Sequence, residues 1–162
     1  MGTHKALLLL GGTPMVAAHV TALRAVCERV IVVLGAQAET ITPHLPPGTE
    51  VCINPGWAVS HMSDSLTLAL QNETGTVIVT PIDVPPAPRQ ALEDLLNAPM
   101  PAVLHHNNEP GHPVAFSATD VRAHLQKSHL RDALASAKPV HSDWPGCTRS
   151  WNTPEEWSAW VK

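Results

Sequence analysis

The 162-residue sequence predicts a three-layer α/β fold in a single domain spanning residues 1–162, with a mostly parallel sheet between two sets of helices. Three observations predict it. Short apolar, β-branched runs alternate with stretches in which apolar residues recur at helical spacing, the pattern of βαβ units. Two of those runs, Val30–Leu34 and Thr76–Thr80, are continuous, as strands covered on both faces are. A chain of this length also buries about 70% of the surface its unfolded form exposes, so it needs no covalent staple.

Each element follows from its residues. Ala6–Leu10 is a short apolar run and reads as the first buried strand. Thr13 caps a helix whose first residue is Pro14, a position that needs no amide donor, and Val16, Val20 and Leu23 then mark one apolar face. Val30–Leu34 is a strand ended by Gly35, and Val51–Ile53 a shorter one ended by Asn54-Pro55-Gly56. Ser63 caps a helix carrying Leu66 and Leu70. After strand Thr76–Thr80, Pro85, Pro86 and Pro88 break the chain before a helix with Leu92, Leu95 and Leu96. Pro101–Leu104 and Val114–Phe116 read as strands. Ser117 caps a helix with Val121 and Leu125, and a short helix spans 130–136. Thr153-Pro154-Glu155-Glu156 opens the last helix with a cap, a proline at its first position and acids in its first turn.

Composition narrows the function. Hydrophobic residues make up 44% of the chain and charged ones 15%, the balance of a globular protein. A net charge of −4 with no run of Lys and Arg argues against a nucleic-acid partner. The three cysteines, Cys27, Cys52 and Cys147, are odd in number and lack C-x-x-C spacing, which fits reduced thiols in the cytoplasm. The apolar stretch near the start is interrupted by Gly11-Gly12 and Pro14 too early for a signal peptide, and no stretch has the length of a membrane span. A cytoplasmic protein without a membrane partner is expected.

Ligands of such folds bind at the carboxyl ends of the strands, where the unusual residues cluster. Asp83, in Thr80-Pro81-Ile82-Asp83-Val84-Pro85, directly follows a buried strand. Two readings of it stand open: a Mg²⁺ ligand beside nucleotide phosphates, or a cap of the next helix. Gly111-His112-Pro113-Val114 is a tight turn entering a strand. His105, His106 and His112 do not read as a zinc site, because neighbouring residues on a strand point to opposite faces. The helix start at Ser63, Asp64 and Ser65 offers free amides to an anion. Arg131 reads either as a phosphate contact or as half of a surface ion pair.

The opening Met-Gly-Thr-His-Lys-Ala-Leu-Leu-Leu-Leu-Gly-Gly-Thr-Pro-Met resembles a segment of the molybdenum-cofactor nucleotidyltransferases and their NTP-transferase relatives. Four further stretches follow in the family's order. Asn54-Pro55-Gly56-Trp57 with Met62-Ser63-Asp64-Ser65-Leu66 is similar to N-P-x-W and G-M-x-S-S-L, and Asp83 falls on the D-x-P motif. Gly111-His112-Pro113-Val114 matches G-H-P-V, and Asn152-Thr153-Pro154-Glu155 resembles the N-T-P-E form of the last motif.

The resemblance implies a Rossmann-like sheet of the nucleotide-diphospho-sugar transferase type. It implies transfer of a nucleotidyl group from CTP or GTP to a phosphorylated acceptor such as molybdopterin, with Mg²⁺ as cofactor. Lys5 and Asp83 would be catalytic, and Asp83 and Asn152 would hold the metal. Gly2, Gly11, Gly12, Ser63, Ser65, Gly111, His112 and Arg131 would contact nucleotide or acceptor. In the family the opening segment follows a strand and a glycine-rich loop, L-A-A-G-x-S-x-R. The expectation here is that Ala6–Leu10 takes that strand's place and Gly11-Gly12 forms a poorer phosphate turn, or that the natural polypeptide starts upstream. The second functional reading is a catalytically silent relative that binds nucleotide, cofactor or a partner protein.

Overall fold

The computed structural model describes residues 4–125 and 130–160. After a single 3-10 turn at Lys5–Leu7, the order is β1 (Leu9–Leu10), β2 (Thr13–Pro14), α1 (Met15–Arg24), β3 (Ile31–Leu34), α2 (Ala38–Ile41), β4 (Glu50–Ile53), α3 (Met62–Ala69), β5 (Thr76–Val79) and α4 (Arg89–Asn97). There follow β6 (Ala102–His106), β7 (Glu109–Ser117), α5 (Ala118–Leu125), α6 (Leu130–Ala133), β8 (Lys138–His141) and α7 (Pro154–Trp160). No helix among the described residues is long and apolar enough to cross a membrane.

The strands form a parallel β3–β4 pair and a four-stranded sheet ordered β5-β7-β6-β8. β7 runs antiparallel to β5 and β6, while β8 is parallel to β6. β5, β6 and β8 therefore share one direction. β3 shares it too. Arg29, just before β3, reaches Glu73, just before β5, at 3.2 Å, and at the other ends Leu34 and Ile82 join one apolar cluster. The β6–β7 hairpin turns at Asn107 and Asn108, both at positive φ (51° and 66°), which asparagine tolerates better than most side chains.

Side-chain alternation along β7 builds the three layers. Val114 and Phe116 pack against Leu66, Leu70, Val121 and Leu125 on one face. Ala115 packs on the other face with Ala91, Leu95 and Leu104. The α/β reading thus holds.

The first strand is a correction. Ala6–Leu10 does not enter the sheet: Lys5–Leu7 is a 3-10 turn, and Leu9–Leu10 pairs antiparallel with Thr13–Pro14. Gly11 and Gly12, at φ 56° and 85°, form the two-residue tip between them, so the segment is a hairpin and not a strand leading directly into a helix. Two adjacent residues at positive φ close a hairpin, and the five apolar residues before them are too few to outweigh that turn. The Thr13 cap is likewise displaced: α1 starts at Met15, whose amide donates to the Leu8 carbonyl at 2.8 Å. Short α2 and strand β8 carry too few apolar residues to be read from sequence.

Candidate active site

The loop that follows β5 and the approach to α7 meet at one rim. Lys5 reaches across it. Its Nζ donates to Asn152 Oδ1 at 2.9 Å and to Asp83 Oδ2 at 3.4 Å, joining residues 147 and 78 positions away. The Lys5 and Asp83 side chains each keep 29% exposure, so the pair is open to ligand. The loop that carries Asp83 is anchored twice through its backbone. The Trp151 amide donates to the Asp83 carbonyl at 2.7 Å, and His19 Nε2–H donates to the Val84 carbonyl at 2.9 Å.

Local sequence explains why Asn152 arrives there. Glu156 Oε2 accepts the amides of Asn152 and Thr153 at 2.6 and 3.0 Å, and the Glu156 amide donates to Thr153 Oγ1 at 3.2 Å. This reciprocal cap satisfies the otherwise free donors at the start of α7. The amides of Asn152 and Thr153, aided by the Lys5 charge, hold the Glu156 carboxyl below its usual range. Trp151 is buried and fixed edge-on against Trp157, ring centroids 4.7 Å apart.

His112 enters from β7. Burial pushes its imidazole below the ordinary histidine range, opposed in part by the Asp83 carboxylate, and its Nδ1 is buried with no hydrogen-bond partner. Its neighbour Gly111 lets β7 lie against the turn at Pro145–Thr148, since a Cβ there would overlap the Cys147 carbonyl. Burial also lowers the His19 pKa, against the Val84 carbonyl and the Asp83 charge.

Lys5, Asp83 and Asn152 are thus one constellation, with His112 behind it. The other predicted contacts are placed apart. Gly2 lies outside the described residues. Gly11 and Gly12 are exposed at the hairpin tip, with no atom within 4 Å of where a Cβ would stand. Arg131 is exposed on α6 and makes no hydrogen bond or ion pair among the described residues. Ser63 is not the cap of α3: His61 precedes the helix, and its amide donates to Asp64 Oδ2 at 2.7 Å. Ser65 Oγ is held by Asn54 Nδ2 at 2.9 Å.

Two structural residues escaped the sequence reading. Asn54, 4% exposed, donates to Ser60 Oγ and Ser65 Oγ and accepts the Gly56 amide, all at 2.9 Å, and so folds the 54–65 segment onto the end of β4. Its signal was present in Asn54-Pro55-Gly56-Trp57. His19 had none beyond lying among the apolar residues of α1.

The donor set fits a hard divalent cation. Asp83 Oδ2 and Asn152 Oδ1 already converge on one positive group, the Lys5 ammonium. No cluster of three or more His, Cys, Asp or Glu that could hold a metal exists among the described residues. A cation held here would complete its shell from water and ligand phosphates, as Mg²⁺ does.

The chain is similar to known proteins in family and in fold. A family model described as a MobA-like NTP transferase domain matches residues 1–141. No curated protein sequence matches the chain. Among solved structures, a nucleotidyl transferase of Methanothermobacter superposes with a TM-score of 0.82 at 20% identity, covering 98% of this chain and 84% of that one. The Mycobacterium tuberculosis H37Rv protein Rv0371c, solved with manganese, gives 0.80 at 21% identity over 99% of this chain and 92% of that one. The molybdopterin-guanine dinucleotide biosynthesis protein A of Archaeoglobus fulgidus gives 0.69 at 16% identity over 98% and 89%. At these identities the superpositions establish the fold.

Proposed function

The chain belongs to the MobA-like NTP transferase family, and on that premise we propose that it transfers a nucleotidyl group from CTP or GTP to a small phosphorylated acceptor such as molybdopterin. The observation that carries this reading is the convergence of Lys5, Asp83 and Asn152 at the carboxyl rim of the strands.

An oxygen of the acceptor phosphate attacks the α-phosphorus in line. The bond to the β-phosphate bridging oxygen breaks, and pyrophosphate leaves. Asp83 and Asn152 would hold Mg²⁺, which when bound offsets phosphate charge. Lys5 meets a non-bridging oxygen, and its present partners keep its ammonium pointed at the rim. Catalysis is then positioning and charge neutralisation, with no covalent step on the protein.

A second reading, a nucleotide- or partner-binding module without transfer, is favoured by one observation. Gly11 and Gly12 stand at an exposed hairpin tip, apart from Lys5 and its partners. Calorimetry with CTP and with GTP, each with Mg²⁺, tests both. Heat that disappears in Asp83→Ala is expected, and pyrophosphate release on adding acceptor separates transfer from binding. Absence of heat with either nucleotide defeats the enzyme reading for this polypeptide.

A further inference from the structure

Both charged arms of the site are referred to one helix, α1. At its first residue the Met15 amide donates to the Leu8 carbonyl at 2.8 Å, and the Leu8 amide donates in turn to the Lys5 carbonyl at 3.2 Å. Two bonds thus tie the Lys5 backbone to the start of α1. Four residues on, one turn along the same face, His19 Nε2–H donates to the Val84 carbonyl at 2.9 Å, across 65 positions of sequence. Asp83 is the residue before.

Histidine is an expensive choice at that place. The other buried residues of α1 are Met15, Val16 and Val20, all apolar. His19 is 6% exposed among them. Burying an imidazole carries a desolvation cost that one hydrogen bond offsets only in part, and burial lowers the His19 pKa despite the bond to Val84. Leucine would fill the same volume without that cost. It lacks a donor, at the reach of an imidazole, aimed at the Asp83 loop.

The loop is gripped at two successive carbonyls. That of Asp83 accepts from the Trp151 amide at 2.7 Å, on the approach to α7 that brings Asn152. That of Val84 accepts from His19, on the helix that holds Lys5. The Lys5–Asp83 contact is the long one of the site, 3.4 Å against 2.9 Å for Lys5–Asn152. It stands near the outer limit of a hydrogen bond, so a loop displaced by roughly 0.5 Å loses it.

We propose that His19 is the positioning residue of this site: its bond to the Val84 carbonyl sets the place of the Asp83 carboxylate relative to the Lys5 ammonium, and thereby the affinity for a divalent cation. The part that concerns the cation rests on the reading of Asp83 as its ligand. The part that concerns Lys5 does not.

The test compares variants of the 162-residue chain by NMR. His19→Leu keeps the bulk and removes the donor. His19→Gln puts an amide nitrogen at the reach of imidazole Nε2, and His19→Asn puts it one bond short. The first readout, without ligand, is the chemical shift of the Asp83 carboxyl carbon. It is expected to move in His19→Leu and His19→Asn and to return toward the wild-type position in His19→Gln. The second is the concentration of Mn²⁺, added with CTP or GTP, that half-broadens the Asp83 resonances. It should rise about tenfold or more in His19→Leu and His19→Asn, as when a partner that orients a metal ligand is lost. In His19→Gln it should stay close to wild type. The indole resonances of Trp157 and Trp160 should stay in place throughout, since general loosening of the fold would move them. Should His19→Leu not fold, the Asn and Gln variants carry the comparison. An Asp83 carbon unmoved in His19→Asn overturns the proposal. So does a shift as large in His19→Gln as in His19→Asn, or movement of the indole resonances in step with it. An Asp83 carbon that follows the donor, in a wild-type chain that Mn²⁺ with nucleotide does not broaden, upholds the positioning of Asp83 and overturns its role toward the cation.

Discussion

The two halves of this molecule use the same kind of residue to different effect. In the β5-β7-β6-β8 sheet, Ala102, Leu104 and Ala115 are at 0% exposure and Phe116 at 1%, sealed by helices on both faces. On the other side of the molecule, Ile31, Val32 and Val33 are also apolar, yet only half-buried. Burial is a property of neighbours as much as of the residue. A run such as Val30–Leu34 predicts a strand covered on both faces, and here it is covered only in part and pairs only with β4. The rim that carries Lys5, Asp83 and Asn152 lies where the halves meet: Asp83 follows β5, and its loop is tied to α1 by His19 and to the α7 approach by Trp151.

If that contrast is right, truncation should separate the halves most sharply. Phe116→Ala is expected to cost about 3–5 kcal/mol in denaturant unfolding, because it leaves a cavity in a closed layer. Val33→Ala should cost about 1 kcal/mol, since part of its surface is already wet. Equal losses would break the comparison.

On the open side, polar bonding supports the segment around β4, where Val51 and Ile53 are 37% and 50% exposed. Asn54→Ala, which strands the hydroxyls of Ser60 and Ser65, should therefore cost about 1–3 kcal/mol, seen as a lower urea midpoint. A cost near zero would mean that the 54–65 segment holds itself.

The smallest effect concerns pH. His19 is buried and its folded pKa is lowered, so the unfolded chain binds its proton more readily. Stability is then fully present above the unfolded value of 6.5 and is lost as pH falls through the lower folded value. The melting temperature should drop between neutral pH and pH 5, and His19→Gln should flatten that slope. His112, lowered for the same first cause, leaves a residual slope in that variant.

Much of this was legible in the residues. Alternating runs and helical spacing gave the layers, and Thr153-Pro154-Glu155-Glu156 gave the α7 cap, because these are local signals backed by local bonds. Asp83 and Lys5 were legible through motif, and their meeting is a long-range fact that motif order alone implied. The opening run failed for a physical reason: five apolar residues do not specify a sheet position when two adjacent glycines close a hairpin behind them. Ser63 failed because His61 and Asp64 form a competing cap.

The central claim is that Asp83 and Asn152 hold a divalent cation beside nucleotide phosphates. Paramagnetic broadening by Mn²⁺, added to labelled protein in the presence of CTP or GTP, tests it most directly. The account predicts selective loss of the Asp83, Asn152 and His112 resonances, and none of that loss in Asp83→Ala. Broadening centred elsewhere, or unchanged in that variant, would contradict it.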